Sequence, residues 1–182
     1  MGGVVTTAAD GRGRNEAVVF SPEGEEVACY QKIHPFTFGG EANHYAAGSE
    51  IVTFRWGAFT VCPFVCYDLR FPEVFRLAVR RGADLFAVIA NWPASREHHW
   101  LTLLQARAIE NQAYVVGVNR CGRGNVLAYS GRSVIIDPRG RIVADAGNGE
   151  GVVHAAVDAE SLRNYREAFP ALRDMRREDF PE

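Results

Sequence analysis

The chain has 182 residues, of which 47% are hydrophobic and 23% are charged, and its formal net charge is −2. This composition is ordinary for one soluble domain, and the small net charge argues against nucleic acid or an anionic membrane as a partner. No apolar run reaches the ~20 residues of a membrane-spanning helix, and Met1 to Arg14 lacks the basic-then-apolar pattern of a signal peptide. We therefore expect a cytoplasmic protein.

The first third of the sequence predicts hairpins. Strands are expected at Ala17–Phe20 and Glu26–Gln31, because the residues between them have strong turn chemistry. A second pair is expected at Ile51–Arg55 and Phe59–Val65, turning at Trp56-Gly57. The stretch 33–48 contains Pro and several Gly residues and predicts a loop.

The rest of the chain predicts strands alternating with helices. Continuous apolar runs predict strands buried on both faces at Asp84–Ala90 and Ala113–Asn119. Helices are expected at Phe71–Arg81, opened by Pro72 and stopped by Gly82, and at Trp100–Asn111, which has an amphipathic pattern. The remaining expected elements are a hairpin of Ser133–Asp137 with Arg141–Ala144, a last strand at Val152–Val157, and a charged helical tail from residue 159 to 182, broken at Pro170.

Together these elements predict a single layered α/β domain over residues 1–182. Gly2-Gly3-Val4-Val5 is typical of the end of a strand, and the chain then goes directly into hairpins. We therefore expect the strand–helix units that normally open such a fold to be missing, so that the domain is partial. A sheet without those strands would expose an unpaired edge.

The four cysteines are Cys29, Cys62, Cys66 and Cys121, and they form neither a CxxC pair nor a Cys/His metal pattern. Cys62 and Cys66 are expected on the same face of one strand, which is a poor disulfide geometry. Most of these thiols are expected to be reduced core residues. Cys66 differs because it ends a buried strand at the turn into a helix, where an α/β sheet presents reactive groups.

A resemblance to a known family rests on motifs in a fixed order. Tyr30-Gln31-Lys32-Ile33-His34 resembles the lysine motif of the nitrilase superfamily of carbon–nitrogen hydrolases, and Val65-Cys66-Tyr67-Asp68-Leu69-Arg70-Phe71-Pro72-Glu73 resembles its cysteine motif. The segment from Glu41 to Gly48 lies between them. Downstream motifs follow in family order: Asn91-Trp92-Pro93, 106–112, Gly117-Val118-Asn119-Arg120, and Ser130 to Ser133 ahead of Asp137-Pro138. The cysteine motif, Asn91-Trp92-Pro93 and 106–112 are most similar to the omega-amidase-like branch.

The resemblance implies an α–β–β–α sandwich and a Cys–Glu–Lys mechanism without a metal or an organic cofactor. Cys66 would be the nucleophile that attacks a small amide. Lys32 and the backbone N–H of Tyr67 would stabilise the oxyanion, and Lys32 would also favour the thiolate. Glu41 would be the second glutamate, which positions Lys32 and the substrate.

The same resemblance suggests the wall of a substrate pocket. Arg70 is expected there, with Glu110 as a structural ion-pair partner nearby. Asn91 is expected to line the pocket. Trp92 is expected either to form a wall of it or to belong to the core. Arg70 and Arg96 also make a carboxylate-bearing substrate conceivable.

The general-base glutamate of the family has no counterpart in this sequence. Glu16 lies in a stretch that resembles the segment after the base, so we do not assign the role to it. Three explanations are open: the chain is a fragment or begins at a late start codon, it is a truncated homologue without activity, or Glu41 has taken over the proton transfers. We favour the first, because loss of whole strands would also harm folding.

The sequence is compatible with three functions. The first is an omega-amidase-like hydrolase that releases ammonia from a small linear amide. The second is a non-catalytic binding or assembly subunit. The third is a Cys–His hydrolase that uses His34, His98 or His99 as base. The resemblance also implies a homodimer.

Overall fold

A computed structural model describes residues 1–8 and 10–176 of the chain. In these residues the strands are β1 (Gly2–Thr7), β2 (Gly13–Phe20), β3 (Glu26–Gln31), β4 (Phe54–Trp56), β5 (Phe59–Val65), β6 (Leu85–Ala90), β7 (Tyr114–Asn119), β8 (Cys121–Arg123), β9 (Ala128–Ser130), β10 (Val134–Ile136) and β11 (Ile142–Asp145). The α-helices are α1 (Pro72–Arg80), α2 (Glu97–Asn111) and α3 (Ala159–Ala168). The α/β class expected from the sequence is confirmed.

A six-stranded sheet organises the molecule, with the strand order β11-β10-β7-β6-β5-β4. Its centre is parallel, with β6 between β5 and β7, and the outer pairs are antiparallel. The register places Val65 beside Ile89 and Ala90 beside Asn119. The three parallel strands therefore end together, and the residues that follow them lie at one edge of the sheet.

Helices α1 and α2 follow from local signals and share one core with the sheet. Pro72 opens α1, and Gly82 after it has a φ of +89°, which favours glycine. Trp100 and Leu104 of α2 are fully buried in that core. Gly117 of β7 is needed there, because a Cβ atom on it would lie 2.5 Å from a methyl carbon of Leu104.

A smaller antiparallel sheet, β1-β2-β3, packs near the end of the large one. The Tyr30 ring meets Phe64 of β5 edge-on at 5.6 Å between centroids, and a Cβ atom on Gly3 would contact the side chain of Ile89. After β3, the Lys32 N–H donates to the carbonyl of Asn15 at 2.8 Å, so the sheet pairing continues to the lysine.

Several predicted boundaries shift, and one prediction is wrong. The strand predicted at Ile51–Arg55 is only Phe54–Trp56, and α2 starts three residues earlier than predicted. The segment 152–157 has no regular secondary structure. Its residues alternate as those of a strand would, but none of the described strands pairs with it.

Other features agree with the sequence or were missed by it. The segment at Gly2–Val5 is part of β1, and the tail contains α3 and a 3-10 turn at Ala171–Asp174 on either side of Pro170. The rest of that predicted tail, 177–182, lies outside the described residues. The short pair β8–β9 was not predicted. No helix in the described ranges is long and apolar enough to cross a membrane.

Candidate active site

Cys66 lies directly after β5, as the first residue of a 3-10 turn, Cys66–Arg70, that leads into α1. Its φ is +48°, a left-handed conformation that is strained for a residue with a Cβ atom. The expected shared strand face with Cys62 is therefore wrong, because Cys66 has already left the strand. Cys62 is fully buried in the core, and both thiols are free.

The turn opens into a cavity of about 550 Å³ at the end of the parallel strands. The seven residues that the family resemblance assigns to the site all line it: Lys32, Glu41, Cys66, Tyr67, Arg70, Asn91 and Trp92. The wall also includes Asn15, Phe36, Arg96, Leu127 and Tyr129. The structure thus brings together residues from β2, the loop after β3, the ends of β5 and β6, and β9.

Lys32, which is the chain's only lysine, is paired inside this cavity. Its Nζ lies 2.5 Å from Oε2 of Glu41, and its side chain is only 4% exposed. Glu41 also accepts hydrogen bonds from the Phe36 N–H at 2.6 Å and from Nδ2 of Asn15 at 2.9 Å. Although burial acts in the opposite direction, these bonds hold the pKa of Glu41 below its ordinary value. Glu41 is therefore a weak proton acceptor that fixes the ammonium group.

The electrostatics of Cys66 are set by opposing effects. Burial raises the pKa of its thiol, whereas the Lys32 ammonium and a hydrogen bond from the Asn91 N–H act to lower it. The net shift is upward, so the thiol is mostly protonated at neutral pH. Nucleophilic attack by this sulfur therefore needs a base that removes the proton during the reaction.

The loop after β6 owes its position to Asn119, the last residue of β7. The Asn119 side chain accepts from the Trp92 N–H at 2.7 Å and donates to the carbonyls of Trp92 and Gly131. Trp92 is 3% exposed, packs on Trp100 and lines the cavity, so it is both core and wall. The sequence motif contained Asn119, but only the fold shows that it fixes the loop carrying Asn91.

Arg70 is not the ion-pair partner of Glu110 that we expected. Its guanidinium lies over the Trp92 ring, 4.7 Å from the centroid, and donates to Nδ1 of His99 at 3.3 Å. Glu110 pairs with the buried Arg107 instead, at 2.9 Å. The reason is that Arg107 lies one helical turn from Glu110 on α2, whereas Arg70 points into the cavity.

The histidines do not form a catalytic pair with Cys66. Nδ1 of His34 is bonded to Asp68, and its ring stacks on Phe71 at 3.7 Å between centroids. His98 and His99 are exposed on α2. None of the three is among the described residues that line the cavity. Glu16, to which we did not assign the role of base, is not among the lining residues and accepts a hydrogen bond from Thr6 at 2.7 Å.

This fold and this site define the class of protein. The chain belongs to the carbon–nitrogen hydrolase family, whose profile matches residues 1–167, and it is an amidase-type hydrolase.

Individual relatives sharpen that classification. The chain is 45% identical over 176 residues to "Omega-amidase YafV" of Yersinia enterocolitica, covering 96% of this chain and 68% of that protein. It is 37% identical to "2-oxoglutaramate amidase" of Bacillus subtilis, covering 90% and 63%. The crystal structure of XC1258 from Xanthomonas campestris, a CN-hydrolase superfamily protein with an arsenic adduct in the active site, matches with a TM-score of 0.90 at 38% identity, covering 99% and 69%. The chain therefore spans about two thirds of the length of these proteins.

Proposed function

We propose that this protein hydrolyses the terminal amide of a small linear, carboxylate-bearing molecule through a thioester on Cys66, releasing ammonia. One observation carries the proposal: a strained cysteine at the end of a buried strand faces a cavity in which a buried lysine and a backbone N–H act on its sulfur. The names of the relatives as omega-amidase and 2-oxoglutaramate amidase support it. So does the arsenic adduct in the related structure, because arsenic is a soft element that prefers thiol ligands.

The reaction would proceed in two halves. Sγ of Cys66 bonds to the amide carbon while its proton passes to a base, and the carbonyl oxygen becomes an oxyanion. Lys32 and the N–H of Tyr67, near the start of the turn, stabilise that charge. The C–N bond then breaks, and ammonia leaves with the proton. Water hydrolyses the thioester, which restores the thiol and releases a carboxylic acid.

The described lining of the cavity contains no carboxylate that is free to accept the proton of the Cys66 thiol. Glu41 is the carboxylate that lines this part of it, and three hydrogen bonds already occupy its oxygens. We assign it the positioning of Lys32. The base would be the further glutamate that the family resemblance implies and that no residue of this sequence matches. General acid–base catalysis contributes about 10²–10⁴-fold, so this group decides how fast the chain turns over.

The charges of the cavity support a substrate with a carboxylate. Arg70 and Arg96 both line it, and neither has an acidic partner in residues 1–8 and 10–176. Each guanidinium lies over an aromatic ring, Trp92 for Arg70 and Phe36 for Arg96. Planar guanidinium groups suit carboxylates, which they bind with paired hydrogen bonds. The amide end would then face Cys66, and the carboxylate end would face the two arginines.

The test measures ammonia release from omega-amides of keto and carboxylic acids. It uses the 182-residue chain, the same chain preceded by the in-frame codons upstream of Met1, and Cys66→Ala in each. Cys62→Ala is the matched control, because that thiol is buried outside the cavity. We expect turnover in the longer form that Cys66→Ala abolishes and Cys62→Ala leaves in place. The 182-residue chain, in which no residue matches the base, should be slower by about 10²–10⁴-fold. Turnover that survives Cys66→Ala contradicts the thioester mechanism.

The weak basicity of Glu41 favours a second candidate, a non-catalytic subunit that binds amides or assembles with other chains. The same experiment separates the two functions. Folded protein without turnover in both lengths, whose Cys66 also resists electrophilic amides, would support the subunit.

Two further properties are proposals carried over from the sequence. The family resemblance supports a homodimer, which light scattering on the purified chain would test. The cytoplasmic location expected from the sequence is also a proposal, which cell fractionation would test.

A further inference from the structure

The carboxyl group of Asp68 is fully buried in the turn that carries Cys66, and it does not line the cavity. Each of its oxygens accepts two hydrogen bonds. Oδ1 accepts from the backbone N–H and from Nδ1 of His34, both at 2.9 Å. Oδ2 accepts from the Tyr30 hydroxyl at 2.8 Å and from the Val65 N–H at 3.1 Å. The reaction described above gives this group no role.

The four donors belong to the two segments that carry the reacting groups. Tyr30 and His34 lie two residues before and two residues after Lys32, and Val65 directly precedes Cys66. Asp68 therefore bonds to both sides of the lysine and to the start of the nucleophile turn. The stacking of the His34 ring on Phe71, just beyond the turn, strengthens the same connection.

We infer that Asp68, together with Tyr30 and His34, is a positioning device that sets the separation between Sγ of Cys66 and Nζ of Lys32. This inference rests on the proposed function, because it assigns these residues to the geometry of that reaction. Neither Asp68 nor Tyr30 touches the substrate. Both act through the two residues that do.

Such a device is needed because neither reacting group is fixed by its own backbone. Cys66 holds a left-handed conformation that the chain would otherwise leave. Glu41 holds the ammonium end of Lys32, but it does not bond to the segment that carries Cys66. A displacement of about 1 Å in a catalytic group can cost about 10²-fold in rate. Four hydrogen bonds to one buried group oppose that displacement, since a buried donor without its acceptor is costly.

A second feature separates positioning from simple electrostatics. The negative charge of Asp68 opposes the thiolate and contributes to the raised pKa of Cys66. If charge were its only influence, its removal would lower the pKa of that thiol. If Asp68 positions Lys32 against Cys66, its removal separates the ammonium from the sulfur and raises the pKa instead.

The experiment follows alkylation of Cys66 by iodoacetamide as a function of pH, with the modified peptide quantified by mass spectrometry. The variants are Asp68→Asn, which keeps the shape of the side chain, and Tyr30→Phe, which removes one donor without changing charge. The control is Asp84→Asn. Its carboxylate is half-buried and, like that of Asp68, accepts a strand N–H, that of Thr60, but at the opposite end of the parallel strands.

We expect the alkylation midpoint to move to higher pH in Asp68→Asn, with the rate at pH 7.5 falling about tenfold. Tyr30→Phe should move it in the same direction by a smaller amount, about threefold in rate, and Asp84→Asn should leave it in place. A thermal melt identifies any variant that fails to fold. Tyr30→Phe keeps the test valid in that case, because its ring still packs on Phe64.

A double-mutant cycle with Lys32→Met completes the test. Without the ammonium, Asp68→Asn should lower the midpoint, because only the negative charge is then lost. A lower or unchanged midpoint in Asp68→Asn with Lys32 present, and no change in Tyr30→Phe, would overturn the inference. If Cys66 of the unsubstituted chain is not alkylated at any pH at which the exposed Cys29 reacts, the proposed function fails first, and the two failures remain distinct.

Discussion

The cationic side chains that line the cavity form two groups, and their charges are balanced differently. The buried Lys32 is paired with Glu41, whose oxygens are held by two further donors. Arg70 and Arg96 lie over aromatic rings and have no carboxylate partner in the part of the chain that the structure describes.

This difference matches two different tasks. A lysine that stabilises a transient oxyanion must already be in place when the charge forms, and a fixed carboxylate achieves that without reorganisation. Arginines that bind a substrate carboxylate are better left without an internal partner, because the substrate then supplies the missing charge. The chain thus assigns chemistry to the paired lysine and recognition to the arginines without an acidic partner.

The largest expected effect comes from removing the ammonium. Lys32→Met should lower kcat for an omega-amide by about 10²–10³-fold, as loss of an oxyanion donor does. It should also move the alkylation midpoint of Cys66 to higher pH, because Lys32 acts to lower the pKa of that thiol. Steady-state ammonia release and pH-dependent alkylation measure the two effects. An unchanged kcat would contradict the role of Lys32 in stabilising the oxyanion.

A smaller effect, selective for substrates that bear a carboxylate, is expected from removing either arginine. Arg96→Met or Arg70→Met should raise KM about 10–100-fold for an amide that bears a carboxylate, the range expected when a hydrogen bond to a charged group is lost. KM for a neutral amide of similar length should change little. Arg139→Met is the matched control, since Arg139 also lies over an aromatic ring, that of Tyr165, away from the cavity. Equal losses for both substrates would contradict carboxylate recognition.

The smallest effect concerns stability in acid. Because the folded-state pKa of Glu41 lies below its ordinary value of 4.5, its contribution is present above that pH and is lost as pH falls through the lower folded value. Glu41→Gln should therefore flatten the decline of unfolding free energy below about pH 4.5. Urea unfolding between pH 3 and 6 measures it. Glu23→Gln, in an exposed turn, should follow the unsubstituted chain, and parallel curves for all three proteins would contradict the assignment.

Local patterns were enough to predict much of the fold. The apolar runs of β6 and β7 and the Pro–Gly limits of α1 are properties of neighbouring residues, and the structure agrees with them. The strand predicted at 152–157 is wrong, because an alternation of apolar and polar residues does not by itself provide a strand to pair with. The three-residue strands β8 and β9 could not be predicted for the same reason, since their pairing depends on a partner.

The site shows the same limit. All seven predicted residues line the cavity, because most of them follow strands that end together, and the motifs marked those positions. The sequence could not show which side chains these residues contact. Arg70 lies over Trp92, 22 positions along the chain, rather than beside Glu110. Asp68 was visible in the cysteine motif, but its bonds to Tyr30 and His34 exist only once the two sheets have met.

The chain has 19 arginines and one lysine, and that lysine is the buried Lys32. Protein grown with isotope-labelled lysine would therefore give a single set of lysine side-chain signals in an NMR spectrum, all from the cavity. The measurement needs no substitution and no chemical probe attached to the protein, so it observes the unaltered site. Substrate binding in the cavity would be followed through the signals of Lys32, without overlap from any other lysine.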